Sequence, residues 1–170
     1  MMLSAAGVKS LTVARLDDGD IPEDDAAATI AAALTSGGLR SAGASTGRVY
    51  IHSSVAGLFV ANRNAVDRLN RLDPAITLAC LADHVSVQPG EVVATVKMIP
   101  FAVPLRLVEQ VRELSSVAMP FVVKPYIRHR TALIATTLPL AQGAAAGQDA
   151  PDFLRAPDKM RQHARSRVES

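Results

Sequence analysis

Short apolar stretches, separated by Gly, Pro, Asn and Asp, set out the elements of this chain. Residues 11–16 alternate and predict a strand, after which Asp17, Asp18, Gly19 and Asp20 turn the chain. Asp20 has the chemistry of an N-cap, with Glu23 as capping-box partner and Pro22 in the first turn. A helix is expected near 21–35, ended by Ser36, Gly37 and Gly38. Strands are expected over 49–52, 57–61, 75–81, 121–123 and 131–138. Asn62 or Asn64 caps a second helix near 64–71. The third is expected near 104–116, where Leu107, Val108, Val111 and Leu114 keep helical spacing.

The longest apolar run feeds that third helix. It spans 92–104, follows a turn over 87–91, and has one cation, Lys97, in its middle. Its first part reads as a central strand, stopped by Pro100, and Pro104 stands where a helix can begin. A lysine is rarely fully buried without a partner. Lys97 therefore lies at a rim with its stem packed, or faces an anion.

Composition narrows the classes. The 170 residues suit one domain, or one domain with a tail. With 49% hydrophobic but only 4% aromatic residues, the core must be built from Ala, Val, Leu and Ile. So few aromatics argue against a base-stacking surface, and a net charge of +2 is too small to indicate nucleic acid or a membrane surface. No run is long enough to span a bilayer, and the first residues are too short an apolar stretch for a signal peptide. The expected setting is cytoplasmic. From Pro139 the apolar period is lost, so 1–138 reads as the folded domain and 139–170 as a low-order tail that does not pack on the core.

Few residues have the spacing that chemistry needs. Cys80 sits in an apolar run and reads as a small core residue. His52, His84, His129 and His163 show no metal-ligand spacing, so no metal is expected. Ser53 and Ser54 follow His52 without a nucleophile elbow or a fixed acid. Glu23, Asp24 and Asp25 read as helix-start acids rather than a catalytic pair. Lys124, Arg128, His129 and Arg130 read as a solvated basic loop. Val96-Lys97-Met98 is a poor match to a biotinyl-lysine hairpin, since a Val precedes the lysine and the strand ends at Pro100. The loop over 41–48 lacks the Gly-Lys-Ser/Thr of a Walker motif, but its amides and Arg48 can hold an oxyanion.

Taken in order, these stretches resemble a known family. Ala5-Ala6-Gly7-Val8, Val13-Ala14-Arg15-Leu16, Gly19-Asp20 and Glu23-Asp24 are followed by Thr46-Gly47-Arg48, Gly57-Leu58, Val66-Asp67-Arg68-Leu69-Asn70 and Ala75-Ile76-Thr77-Leu78-Ala79. The strongest stretch runs from Val92 through Lys97 to Val103. The order resembles the amino-terminal part of bacterial molybdopterin-binding proteins related to molybdopterin molybdenumtransferase. That group includes proteins fused to a molybdenum-cofactor nucleotidyltransferase domain. The resemblance covers roughly residues 3–138. In such a family, residues 133–139 would open an α/β domain, which does not follow here. The chain therefore resembles a middle piece of a larger protein, a truncated homologue.

The resulting expectation is an α+β fold, with a mixed, partly barrel-like sheet carrying three helices on its faces. The resemblance implies a non-catalytic module of molybdenum-cofactor biosynthesis, which binds molybdopterin or assembles with a partner chain. Thr46, Gly47, Arg48 and Lys97 are the candidate ligands of an anionic group such as the pterin phosphate. Arg48 would supply a bidentate fork and Lys97 a point charge. Pairing of the strand around Leu133 and Ile134 between copies predicts a homodimer. The competing reading is a structural or interaction module with no remaining ligand. A transferase acting on nucleotides would need phosphate and metal motifs that the chain lacks.

Overall fold

The computed structural model describes residues 13–127, together with Gly7 and Ser10. The order is β1 (Asp20–Pro22), α1 (Glu23–Leu34), β2 (Leu39–Ser41), β3 (Arg48–Ser53), β4 (Gly57–Ala61) and α2 (Arg63–Asn70). Then come β5 (Ile76–Cys80), β6 (Val85–Val87), β7 (Val92–Met98), β8 (Ala102–Pro104), α3 (Leu105–Val117) and β9 (Phe121–Pro125). All belong to one unit, which ends at Tyr126. The expected strand over 131–138, the boundary at 138/139 and the tail lie outside the described residues.

The fold is α+β, but among the described residues its sheets are neither mixed nor closed into a barrel. Every described pairing is antiparallel, in three open sheets ordered β1-β8, β2-β3-β7-β5 and β6-β4-β9. The cause is visible in β3 and β7. Val49, Ile51, Ser53, Ala94, Val96 and Met98 are buried, while the residues between them are not. A sheet with one apolar face packs on helices and leaves the other face in water.

The three helices occupy the expected places. Pro22 and Pro104 each end a strand and stand at a helix N-cap in extended backbone, with φ of −58° and −59°. Their strands pair with each other, Ile21 opposite Val103. One ribbon thus launches both α1 and α3, which pack together. Asp20 is not the cap that its spacing predicts. It lies in β1, and its carboxylate accepts the Asp17 N–H at 3.1 Å. Pro22 cannot donate a ladder hydrogen bond and fixes φ, so it marks the junction instead. Ala26, Ala27, Ile30, Ala31 and Leu34 form the buried stripe of α1, and the alanines let the helix lie close on β3 and β7. Asn62 caps α2, accepting the Ala65 N–H at 3.2 Å.

Residues 13–16 form no strand, and β1, β2, β6 and β8 were not expected. Each of those four has three residues, too few to show a period. Among the described residues β5 is an edge strand, and an open edge invites pairing with another chain. Asn70, the last residue of α2, closes it. Its Nδ2 donates to the Leu78 carbonyl at 2.9 Å, and its Oδ1 accepts the Leu78 N–H at 2.7 Å. Replacing Asn70 with leucine leaves both Leu78 groups without that partner. The expected loss is about 1–3 kcal/mol of stability in urea denaturation, with more self-association by light scattering. An unchanged urea midpoint would show that the amide contributes nothing.

Candidate functional site

The loop before β3 is a two-residue hairpin. Ser45 and Arg48 exchange backbone hydrogen bonds at 3.0 and 3.1 Å around Thr46 and Gly47. Both turn residues have positive φ, 50° and 68°, as a type I′ turn requires. Glycine suits its position. A Cβ on Gly47 would lie 2.9 Å from Glu23 Oε2 and 3.0 Å from the Met98 carbonyl. Threonine is β-branched and a genuine outlier at positive φ. Such a conformation costs on the order of 1–3 kcal/mol and persists only where the surroundings impose it.

Three contacts impose it. The Gly47 N–H donates to Asp24 Oδ1 at 2.6 Å. The Met98 N–H donates to the Gly47 carbonyl at 2.7 Å. The Lys97 ammonium donates to the Thr46 carbonyl. Asp24 therefore does more than complement the dipole of α1: it ties the first turn of that helix to the hairpin. The contact joins residues far apart in sequence, so no local pattern could have disclosed it.

β3 then places Arg48 directly opposite Lys97 on β7. Directly opposed residues share a face of a sheet. This is the open face, which also carries Arg40, Tyr50, His52 and Thr95. Within the four strands no carboxylate stands on it. Arg48, Lys97, Thr46, Tyr50, Ser45 and Gly43 line one open hollow of about 290 Å³. Arg48 Nη1 donates to Tyr50 Oη at 3.3 Å, which orients the guanidinium along the hollow. Among the described residues the carboxylates paired with a basic side chain are Asp67, beside Arg63, and Asp83, beside His84, so neither Arg48 nor Lys97 has a carboxylate partner there.

Three of the four candidate ligands thus line the hollow, and Gly47 does not. Its N–H is engaged by Asp24 and is not offered to an anion. The Thr46 hydroxyl donates to the Ser45 carbonyl at 2.7 Å, leaving the two cations as the principal donors. Tyr50, which the sequence reading passed over, joins them because it stands two residues beyond Arg48 on the same strand face.

The remaining candidates are held apart. His52 Nδ1 lies 3.0 Å from the Gly90 carbonyl, while the buried Ser53 hydroxyl donates to the Val55 carbonyl at 2.6 Å, so the two form no relay. Burial pushes the Cys80 thiol up, which keeps the thiolate scarce at neutral pH. The Ala61 N–H donates to Asp83 at 2.8 Å and, with His84 beside it, holds the Asp83 carboxyl below its usual range. Lys97 lies inside β7 rather than at a hairpin tip, where a biotinyl lysine is presented. Lys124 is exposed at the end of β9, and Arg128, His129, Arg130 and His163 lie outside the described residues.

No family model, no curated protein and no solved structure matches this chain. Among the described residues no helix is long and apolar enough to cross a membrane. What stands is an α+β fold with an open antiparallel sheet face and two cations converging on one hollow.

Proposed function

We propose that this chain is a non-catalytic binding module for a small ligand bearing an oxyanion, and that the ligand is molybdopterin, held by its phosphate. The observation that carries the first part is the direct opposition of Arg48 and Lys97 across β3 and β7, with no carboxylate among the described residues to neutralise either. A planar fork and a compact ammonium on one side of a shallow hollow suit a tetrahedral oxyanion. The described residues lining the hollow include no carboxylate or imidazole, the side chains most used to move protons, which favours binding over catalysis. The choice of molybdopterin rests on the family resemblance, and the two cations fit its phosphate.

Calorimetry with inorganic phosphate and with molybdopterin tests the two parts separately. A charge-assisted hydrogen bond contributes on the order of 1.5–3 kcal/mol, so Arg48→Ala and Lys97→Ala should each weaken phosphate binding about tenfold or more. Added salt should weaken it too, because the hollow is open. Tighter binding of molybdopterin than of phosphate would support the particular ligand. Absence of any phosphate binding at millimolar concentration would remove the proposal and leave the structural-module reading, under which Lys97 serves only to hold the hairpin through the Thr46 carbonyl.

A further inference from the structure

Resting on the anion-binding reading above, we infer that Asp24 is a positioning residue of this site. It holds the hairpin in the conformation that keeps Arg48 and Lys97 around one hollow, although it carries the same sign of charge as the ligand. A carboxylate bonded to the residue next to Arg48 could instead pair with a cation of the site. Here it pairs with neither. Asp24 Oδ1 accepts the Gly47 N–H at 2.6 Å, and Asp24 makes no ion pair with Arg48 or Lys97. The other two anchors of the hairpin, the Met98 N–H and the Lys97 ammonium, both come from the end of β7. Asp24 is the anchor from a different element, the first turn of α1. It therefore opposes a tilting of the turn about the β3–β7 pair that would otherwise relieve the strain of the positive φ at Thr46. Glu23 backs the same glycine, since its Oε2 lies where a Gly47 side chain would go.

The test compares inorganic phosphate binding by wild type, Asp24→Asn and Asp24→Ala. Asparagine removes the charge and keeps the acceptor for the Gly47 N–H; alanine removes both. Plain electrostatics requires the two variants to bind phosphate equally, and more tightly than wild type. A purely structural role moves stability and leaves both affinities alone. Positioning requires a split: Asn at least as tight as wild type, and Ala about fivefold weaker than Asn, the effect of one ordinary hydrogen bond. Hydrogen exchange of the Gly47 amide gives a second readout, with protection kept in Asn and lost in Ala. If the alanine variant does not fold, Asp24→Ser, whose hydroxyl is too short to reach Gly47, takes its place with the same expectation. Equal affinities for Asn and Ala, or an undiminished Gly47 protection in Ala, overturn the inference while leaving the binding site intact. A wild type that binds no phosphate overturns both.

Discussion

Replacing Phe59 with alanine is expected to lower the unfolding free energy by about 3–5 kcal/mol. Phe59 is fully buried in the middle strand of β6-β4-β9, opposite Val85 on one side and Val123 on the other. Its ring lies 5.7 Å from that of Phe121, tilted by 32°. In a chain with 4% aromatic residues this is the one described aromatic pair, and the small aliphatic side chains around it cannot refill the space. Domains of this kind are stable by about 5–15 kcal/mol in total, so the loss is a large share of the whole. Urea denaturation should show a lower midpoint with an unchanged slope. A loss under about 1 kcal/mol would mean that the site collapses around the missing ring.

Gly57→Ala should be nearly as damaging for the opposite reason. Gly57 opens β4 between β6 and β9, opposite Val87 and Pro125. A Cβ there would press on the Lys124 carbonyl oxygen and lie 2.9 Å from both the Lys124 carbonyl carbon and Val123 Cγ1. Two of those obstacles are main chain and cannot rotate away. Overpacking costs about 1–3 kcal/mol in general, and this case belongs at the upper end because the strands themselves must separate. Gly37→Ala is the matched control, with nothing within 4 Å of its Cβ. It should be neutral or add about 0.4–1 kcal/mol by restricting the unfolded chain. Equal thermal midpoints for the two variants would refute the close-approach account of Gly57.

The sequence disclosed what depends on neighbours along the chain. Asn62, Pro104 and the apolar spacing of 107–114 place α2 and α3 to within a residue or two. The lone cation at Lys97 drew attention to the strand that proves central. What stayed hidden depends on distance. Asp20 has the right chemistry for a cap, but pairing with Pro104 draws it into a strand. The expected mixed, barrel-like sheet depends on strand pairing, and pairing follows from which faces find helices to cover them. Arg48 and Lys97 could be named, but their opposition comes from the register of β3 against β7. Asp24 looked like an ordinary helix-start acid because its partner lies in a loop that carries no apolar signal.

The β1–β8 ribbon also bears on how the chain is made. Ile21 can meet Val103 only after all six strands between them, β2 to β7, have been synthesised. While the ribosome is still producing those residues, the start of α1 has nothing to pair with, and its buried stripe has no finished sheet to lie on. Non-local pairing of this sort slows folding, to on the order of milliseconds to seconds in small β-rich domains. Until β7 and β8 emerge, the nascent chain thus has no partner for the apolar stripe of Ala26, Ala27, Ile30, Ala31 and Leu34.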